Sequence, residues 1–279
     1  MANFLRARFP GWIRFAVLLL FLAAALLPFY WLFVTSLKDR QEIYGDVLTL
    51  WPANLTWNNY IETFRTSDFL GYFKNSLIVS LSSGLLVLIV SIFGGYALAR
   101  YRFRGKGVIL LIFLTTQMVP VMILLVPLFI VFGKLALLNT LGALIITYTA
   151  LNIPFCLITM SGFFQQTPVA LEEAAMIDGC SRLSTVARIT LPIMLPGLVA
   201  TFVFAFMGAW NDLFFGVMFT TSEHVKTVPV GLNGFVQKFD VNWGEMSAGG
   251  MVSLIPVAIL FALIQRYIVS GLSQGAVKG

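Results

Sequence analysis

The residues with chemistry to offer are few, and the densest group is the run Glu172-Glu173-Ala174-Ala175-Met176-Ile177-Asp178-Gly179. Three carboxylates stand there among small and apolar residues, between two long hydrophobic blocks. Nothing else in the sequence completes a catalytic set around them. His224 is the single histidine and has no paired nucleophile or metal-type neighbours, and Cys156 and Cys180 lie outside any metal-type cluster. A phosphate loop of the form Gly-x-x-x-x-Gly-Lys-Ser/Thr is missing, because the Gly-Lys pairs at Gly105 and Gly133 lack both the earlier glycine and the following hydroxyl. The acidic run is therefore expected to act by contact, in a chain with no catalytic residue, no metal and no cofactor of its own.

The local pattern says what shape that contact would take. Thr167-Pro168 reads as an N-cap followed by proline at the first helical position, and Glu172 and Glu173 come soon after, near the positive end of the helix dipole. Gly179 tolerates the left-handed conformation that ends helices. Asp178 faces the unfavourable negative end, so its expected role is to cap the next short helix near Cys180 and Ser181. The result is a helical elbow in which Ala174 and Ala175 leave one side without bulk, open to another protein's cleft. The competing reading is a surface helix that links two spans, its charges solvated.

The elements that position this elbow follow from composition. With 59% hydrophobic and 11% charged residues and a mean hydropathy of +0.90, an ordinary soluble domain is excluded. About 20 apolar residues cross a bilayer core. Charge-free stretches on that scale predict an all-α integral membrane protein, one domain over 1–279, with spans near 13–34, 75–99, 108–133, 141–163, 192–217 and 247–266. The first run is longer than a signal-peptide core and lacks a small-residue cleavage site after it. Arg6, Arg8, Arg14, Arg100, Arg102, Arg104, Lys106, Arg182, Arg188, Arg266 and Lys278, most of the 18 basic residues, fall on one side of that arrangement. The positive-inside rule then puts both termini and the loop 167–190 in the cytoplasm. There, a disulfide at Cys180 is not expected.

The run Glu173-Ala-Ala-x-x-Asp178-Gly179, followed by Ile189-x-Leu191-Pro192-x-x-x-Pro196, resembles the cytoplasmic EAA loop of ABC importer permeases. "PFYWLFVTSLK" ending at Lys38, "NSLIVS" from Asn75, "GYALARYRFRGK" ending at Lys106, "AWNDLFFG" ending at Gly216 and the C-terminal "QRYIVSGLSQGAVKG" are similar to the carbohydrate branch, in particular the second membrane subunit of maltose-type transporters. The only noted departure in the loop is Cys180, where the family often has alanine. The resemblance implies a multi-pass permease of a bacterial or archaeal cytoplasmic membrane. It implies that Glu172, Glu173, Ala174, Ala175, Asp178 and Gly179 couple it to ATPase subunits, with Glu173 matching the family's glutamate. It also implies a homologous second permease, two ATP-binding subunits that use ATP and Mg, and an extracytoplasmic solute-binding protein, with membrane lipid around the chain and no nucleic acid.

Ion-coupled secondary transport of a neutral solute is the rival function. Such carriers place several ionisable groups at mid-membrane, whereas the expected spans here hold almost none apart from Asp212, late in span five. A sugar pathway needs hydrogen-bonding and aromatic groups, for which Gln117, Tyr148, Asn152, Trp210, Asn211 and Asp212 are candidates. Hydrogen bonding between helices accounts for the same residues. Pro120, Pro127, Pro154 and Pro256 are expected to bend their helices, and Gly94-Gly95 and Gly249-Gly250 to admit close neighbours. "WNNYIETF" reads as an amphipathic surface helix, either a docking element or packed on the chain's own helices. Single-cysteine labelling tests the topology: positions near Tyr101 and Ser184 should react only from the cytoplasm, and positions near Thr56 and Lys238 only from outside. Labelling at 184 from outside would overturn the placement of the acidic loop.

Overall fold

The structure, a computed structural model, describes residues 10–237 and 240–275, with side chains through Gln265. The expectations placed on Arg6, Arg8, Lys238 and Lys278, and on the side chain of Arg266, lie outside the described residues. In chain order the main helices are α1 (Gly11–Ser36), α2 (Asn58–Thr66), α3 (Phe69–Arg100), α4 (Lys106–Thr116), α5 (Leu125–Lys134), α6 (Leu141–Gln166), α7 (Val169–Ile177), α8 (Leu195–Trp210), α9 (Phe214–Phe219), α10 (Val228–Asn233) and α11 (Trp243–Gly275). Among the described residues the only extended pairing is an isolated bridge between Val236 and Val241.

Four of these helices are long and apolar enough to cross a membrane: α1, α3, α6 and the Trp243–Gln265 part of α11. The expected single helix over 108–133 is instead two pieces. α4 stops at Thr116, and Val121–Lys134 leaves at 94° to it after Pro120, which has no N–H to continue the ladder. The span placed at 192–217 is also corrected. The helical run Arg182–Ile193 meets α8 at 82°, beside Pro192 and Pro196, and α8 ends at Trp210. Counting each bent pair as one span gives six, and counting neither gives four.

The described residues form two compact units. One holds α1, α2 and the chain from Gly234 to Leu254. In it Asn59 donates to the carbonyls of Ser36 (2.9 Å) and Lys38 (2.7 Å), the Tyr60 hydroxyl meets Ser36 Oγ at 2.9 Å, and Thr63 donates to the Glu245 carbonyl at 3.2 Å. The "WNNYIETF" helix thus packs on its own chain through its polar face, while Trp57, Ile61 and Phe64 are exposed.

The other unit is built on α3, α6 and α8. Apolar transfer gives no drive for helices to meet within lipid, so close packing must hold them. Gly95 allows it: a Cβ there would stand 2.9 Å from Met160 Cβ and 3.0 Å from the Ser161 backbone nitrogen. Neighbouring Gly94 faces only the side chain of Leu157, which can shift. The resulting core gathers Val79, Tyr148, Ala209, Phe215 and Phe219 at one end and Met160, Phe164 and Met194 at the other. Gly95→Ala should lower the thermal midpoint of the purified protein, since overpacking costs about 1–3 kcal/mol. Gly107→Ala, at an α4 position with nothing within 4 Å, should leave the midpoint unchanged in the same melting experiment.

Candidate functional site

The acidic helix α7 begins after Pro168 (φ −59°, ψ 128°), not after a capping Thr167. The Thr167 hydroxyl donates back to the Phe163 carbonyl at 3.2 Å, so it finishes α6 and leaves the start of α7 without a side-chain cap. The far end closes as expected. Gly179 takes φ +88°, its N–H reaches the Met176 carbonyl at 3.1 Å, and the Cys180 N–H reaches the Ala175 carbonyl at 3.0 Å. That pair of bonds is a Schellman closure, which needs a residue tolerant of positive φ at the turn. The next helical turn, Arg182–Thr185, is capped by Ser181, whose Oγ accepts from the Ser184 N–H at 3.3 Å. Asp178 does not make that cap, because Ser181 already stands at the correct position with extended backbone.

The two adjacent glutamates have opposite fates. Glu172 is buried, and its Oε1 accepts from Arg100 Nε at 3.0 Å and Nη2 at 2.8 Å. Its Oε2 accepts from the Tyr96 hydroxyl at 3.1 Å, and the Thr190 hydroxyl approaches Oε1 at 3.4 Å. Arg100 Nη2 also donates to the Thr167 carbonyl at 2.9 Å. Expecting Glu172 to face a partner was therefore wrong, and so was expecting an open side at Ala175, which is buried like Glu172. Positions 172 and 175 are one turn apart and share the inward face. Glu173, Ala174, Asp178 and Gly179 are exposed, together with Ile177 at 86% and Leu183 at 72%.

Sequence reasoning missed Tyr96, Arg100 and Thr190 as parts of this site. One signal was present: Tyr96 and Arg100 are four residues apart at the end of α3, on one helical face. The outward Ile177 and Leu183 were missed because an apolar residue in an apolar chain carries no contrast.

The pathway candidates separate in the same way. Tyr148 donates its hydroxyl to Asp212 Oδ1 at 2.8 Å, and the same oxygen accepts from the Phe215 N–H at 2.9 Å, capping the turn into α9. Asn152 donates to the Tyr148 carbonyl at 2.7 Å. Trp210 is only 3% exposed, stacked on Phe206 at 5.7 Å and meeting Phe73 edge-on at 5.8 Å, so it is a packed core residue and offers no free ring face. Asn211 and Asp212 lie with Phe204, Met207, Gly208 and Phe214 along an open groove of about 490 Å³. Gln117 is exposed at the α4–α5 break and shares no hydrogen bond with the others.

Beside His224, Glu223 receives hydrogen bonds from Lys226 and Tyr72, and these hold its carboxyl below the usual range. No group of three or more His, Cys, Asp and Glu that could hold a metal exists among the described residues.

A family model described as "Binding-protein-dependent transport system inner membrane component" matches residues 88–274, about two-thirds of the chain. The chain belongs to this family of permeases. Its acidic loop, ion pair and groove all fall inside the matched region. The permease is 40% identical over 264 residues, 94% of each chain, to the inner membrane ABC transporter permease protein YcjP of Escherichia coli. It is 37% identical over 257 residues, 91% of this chain and 92% of the other, to the trehalose/maltose transport system permease protein MalG of Thermococcus litoralis. It is also 35% identical over 267 residues to the sulfoquinovosyl glycerol permease SmoH of Agrobacterium fabrum, covering 96% and 94%. A crystal structure of a bacterial ABC transporter that imports alginate shares the fold, with a TM-score of 0.79 at 22% identity over 92% of this chain and 96% of that one. This permease is thus a multi-pass inner-membrane subunit of an ABC importer, without an ATPase of its own.

Removing one partner of a buried pair strands the other, at about 3–5 kcal/mol. Arg100→Ala and Glu172→Ala should each lower the melting temperature of the purified permease and expose the loop to protease, whereas Glu173→Ala should do neither. Equal protease resistance in all three would refute the anchoring role of the pair.

Proposed function

We propose that the permease imports a mono- or oligosaccharide, handed over by an extracytoplasmic binding protein, and that the loop 167–190 docks on a separate ATP-binding subunit at the cytoplasmic face. The observation that carries this reading is the split between the two glutamates. An internal ion pair fixes α7 from behind and leaves Glu173, Ala174, Ile177 and Asp178 exposed at its outer side, carboxylates beside small and apolar side chains. Such a surface suits a cleft that supplies cationic groups and an apolar floor. A second, homologous permease and two ATPase subunits using ATP and Mg complete the proposed importer.

The saccharide reading is supported by relatives named for trehalose/maltose, sulfoquinovosyl glycerol and diacetylchitobiose transport. It is also supported by the groove at Asn211 and Asp212, where hydrogen-bonding groups lie beside Phe204 and Phe214, the pairing of polar and aromatic groups that a sugar needs. Uptake into vesicles carrying the complete importer decides between this and the ion-coupled alternative. Inactivating the ATPase should abolish sugar uptake, and uptake that persists on a proton or sodium gradient would reject the proposal.

Glu173→Lys reverses the outward charge and should abolish ATP-driven uptake while the permease still inserts, because losing one member of an interfacial pair costs roughly 2–5 kcal/mol. Gly179→Val should do the same by misaiming the helix, since a β-branched residue resists φ near +88°. An Arg→Glu change in the ATPase cleft should rescue Glu173→Lys and not Gly179→Val, measured as ATPase co-purification and uptake. Normal co-purification and transport by both single variants would leave α7 as a mere surface linker.

A further inference from the structure

A separate cavity of about 520 Å³ lies where α1 ends and α11 begins, and neither the loop nor the groove uses it. Its walls include Trp31, Lys38, Glu42, Asp46 and Trp243, with Pro28 among the residues from α1. Lys38 is the unusual member. It is only 4% exposed, yet among the described residues its ammonium makes a single hydrogen bond, to the Thr49 carbonyl at 2.5 Å, and sits 4.9 Å over the Trp31 ring. Among the described residues no carboxylate lies within 4.0 Å of it. An ammonium carries three donors, so two remain to be satisfied, and a buried charge without a counter-charge is unfavourable.

The two acidic residues of the cavity differ. Glu42 is already engaged by the Thr49 hydroxyl and the Ala53 N–H, and so holds the loop wall in place. Asp46 is exposed and forms no ion pair among the described residues. The cavity therefore offers one unanswered cation and one unanswered carboxylate.

Its position limits the occupant. Trp31 lies near the end of the membrane-length helix α1 and Trp243 is the first residue of α11, the places where tryptophan marks the headgroup level of a bilayer. On α1 below the cavity, Leu20, Phe21, Leu27 and Phe29 are exposed, an apolar surface suited to acyl chains. We propose that this cavity binds the headgroup of a phosphoethanolamine lipid, its phosphate on Lys38 and its primary ammonium at Asp46, with the acyl chains laid along α1. A phosphoglycerol headgroup answers Lys38 but brings no cation to Asp46. Phosphocholine has no N–H to donate to that carboxylate, and a neutral sugar leaves Lys38 without its counter-charge.

The test uses the full chain, purified with its co-purifying subunits and relipidated with equimolar phosphatidylethanolamine, phosphatidylglycerol and phosphatidylcholine. Retained lipid is counted by native mass spectrometry, and tryptophan quenching by brominated acyl chains reports contact. Phosphatidylethanolamine should be retained over each competitor by about fivefold, the ratio expected for one charged contact near a bilayer surface. Lys38→Gln and Asp46→Asn should each erase the preference. Asp46→Asn, at an exposed position outside any ion pair, should do so with an unchanged melting temperature, which separates lost recognition from misfolding. Equal retention of the three lipids, or a preference that survives Asp46→Asn, would overturn the proposal.

Discussion

A carboxylate taken out of water must have its lone pairs answered, and Glu172 meets that requirement from two separate segments. Arg100 and Tyr96 come from the end of α3, and Thr190 from the turn that leads to α8. The same guanidinium holds the Thr167 carbonyl at the junction of α6 and α7. Losing any of these contacts would leave a buried charge or donor unpaired, which is why the arrangement tolerates little displacement. The acidic helix is therefore not a flexible tether. Its orientation is set from inside the chain, and the outward positions of Glu173, Ala174 and Ile177 follow from that orientation.

The carboxylate just past the end of α8 obeys the same rule with different partners. Asp212 is answered by the Tyr148 hydroxyl and by the backbone at the start of α9. A carboxylate oxygen that caps a turn and holds a tyrosine is fixed in place beside the groove. Close packing at Gly95 and Met160 makes α3 and α6 a stiff frame between the two regions.

Much of this was legible in the sequence because membrane insertion and helix termination are local physics. A run of some 20 apolar residues must hydrogen-bond its own backbone in lipid, so α1, α3, α6 and α11 follow from composition and charge spacing alone. The positive φ at Gly179 followed from residue type. The two bent spans were not legible with the same rules. Pro120 marked a break, but whether the chain continues straight, kinks slightly or turns by 94° depends on what packs against each half. The capping assignments at Thr167 and Asp178 failed for a related reason: both residues are good caps, and nearby backbone groups competed for them or for their position.

The sequence by itself determined a helical membrane protein with an acidic, glycine-ended loop, because hydropathy and turn chemistry depend only on neighbours along the chain. It could not determine which of two adjacent glutamates turns inward. That choice rests on Arg100, 72 residues away from Glu172, being delivered to within 2.8 Å of one carboxylate by the packing of α3 on α6. Trp210 shows the same division. Its type suggests a stacking surface for a sugar, but only the tertiary structure decides whether its faces are free, and the stacked Phe206 and the near-complete burial of the ring show that they are not. Burial and charge pairing are properties of the assembled chain, since each depends on residues that only folding brings together.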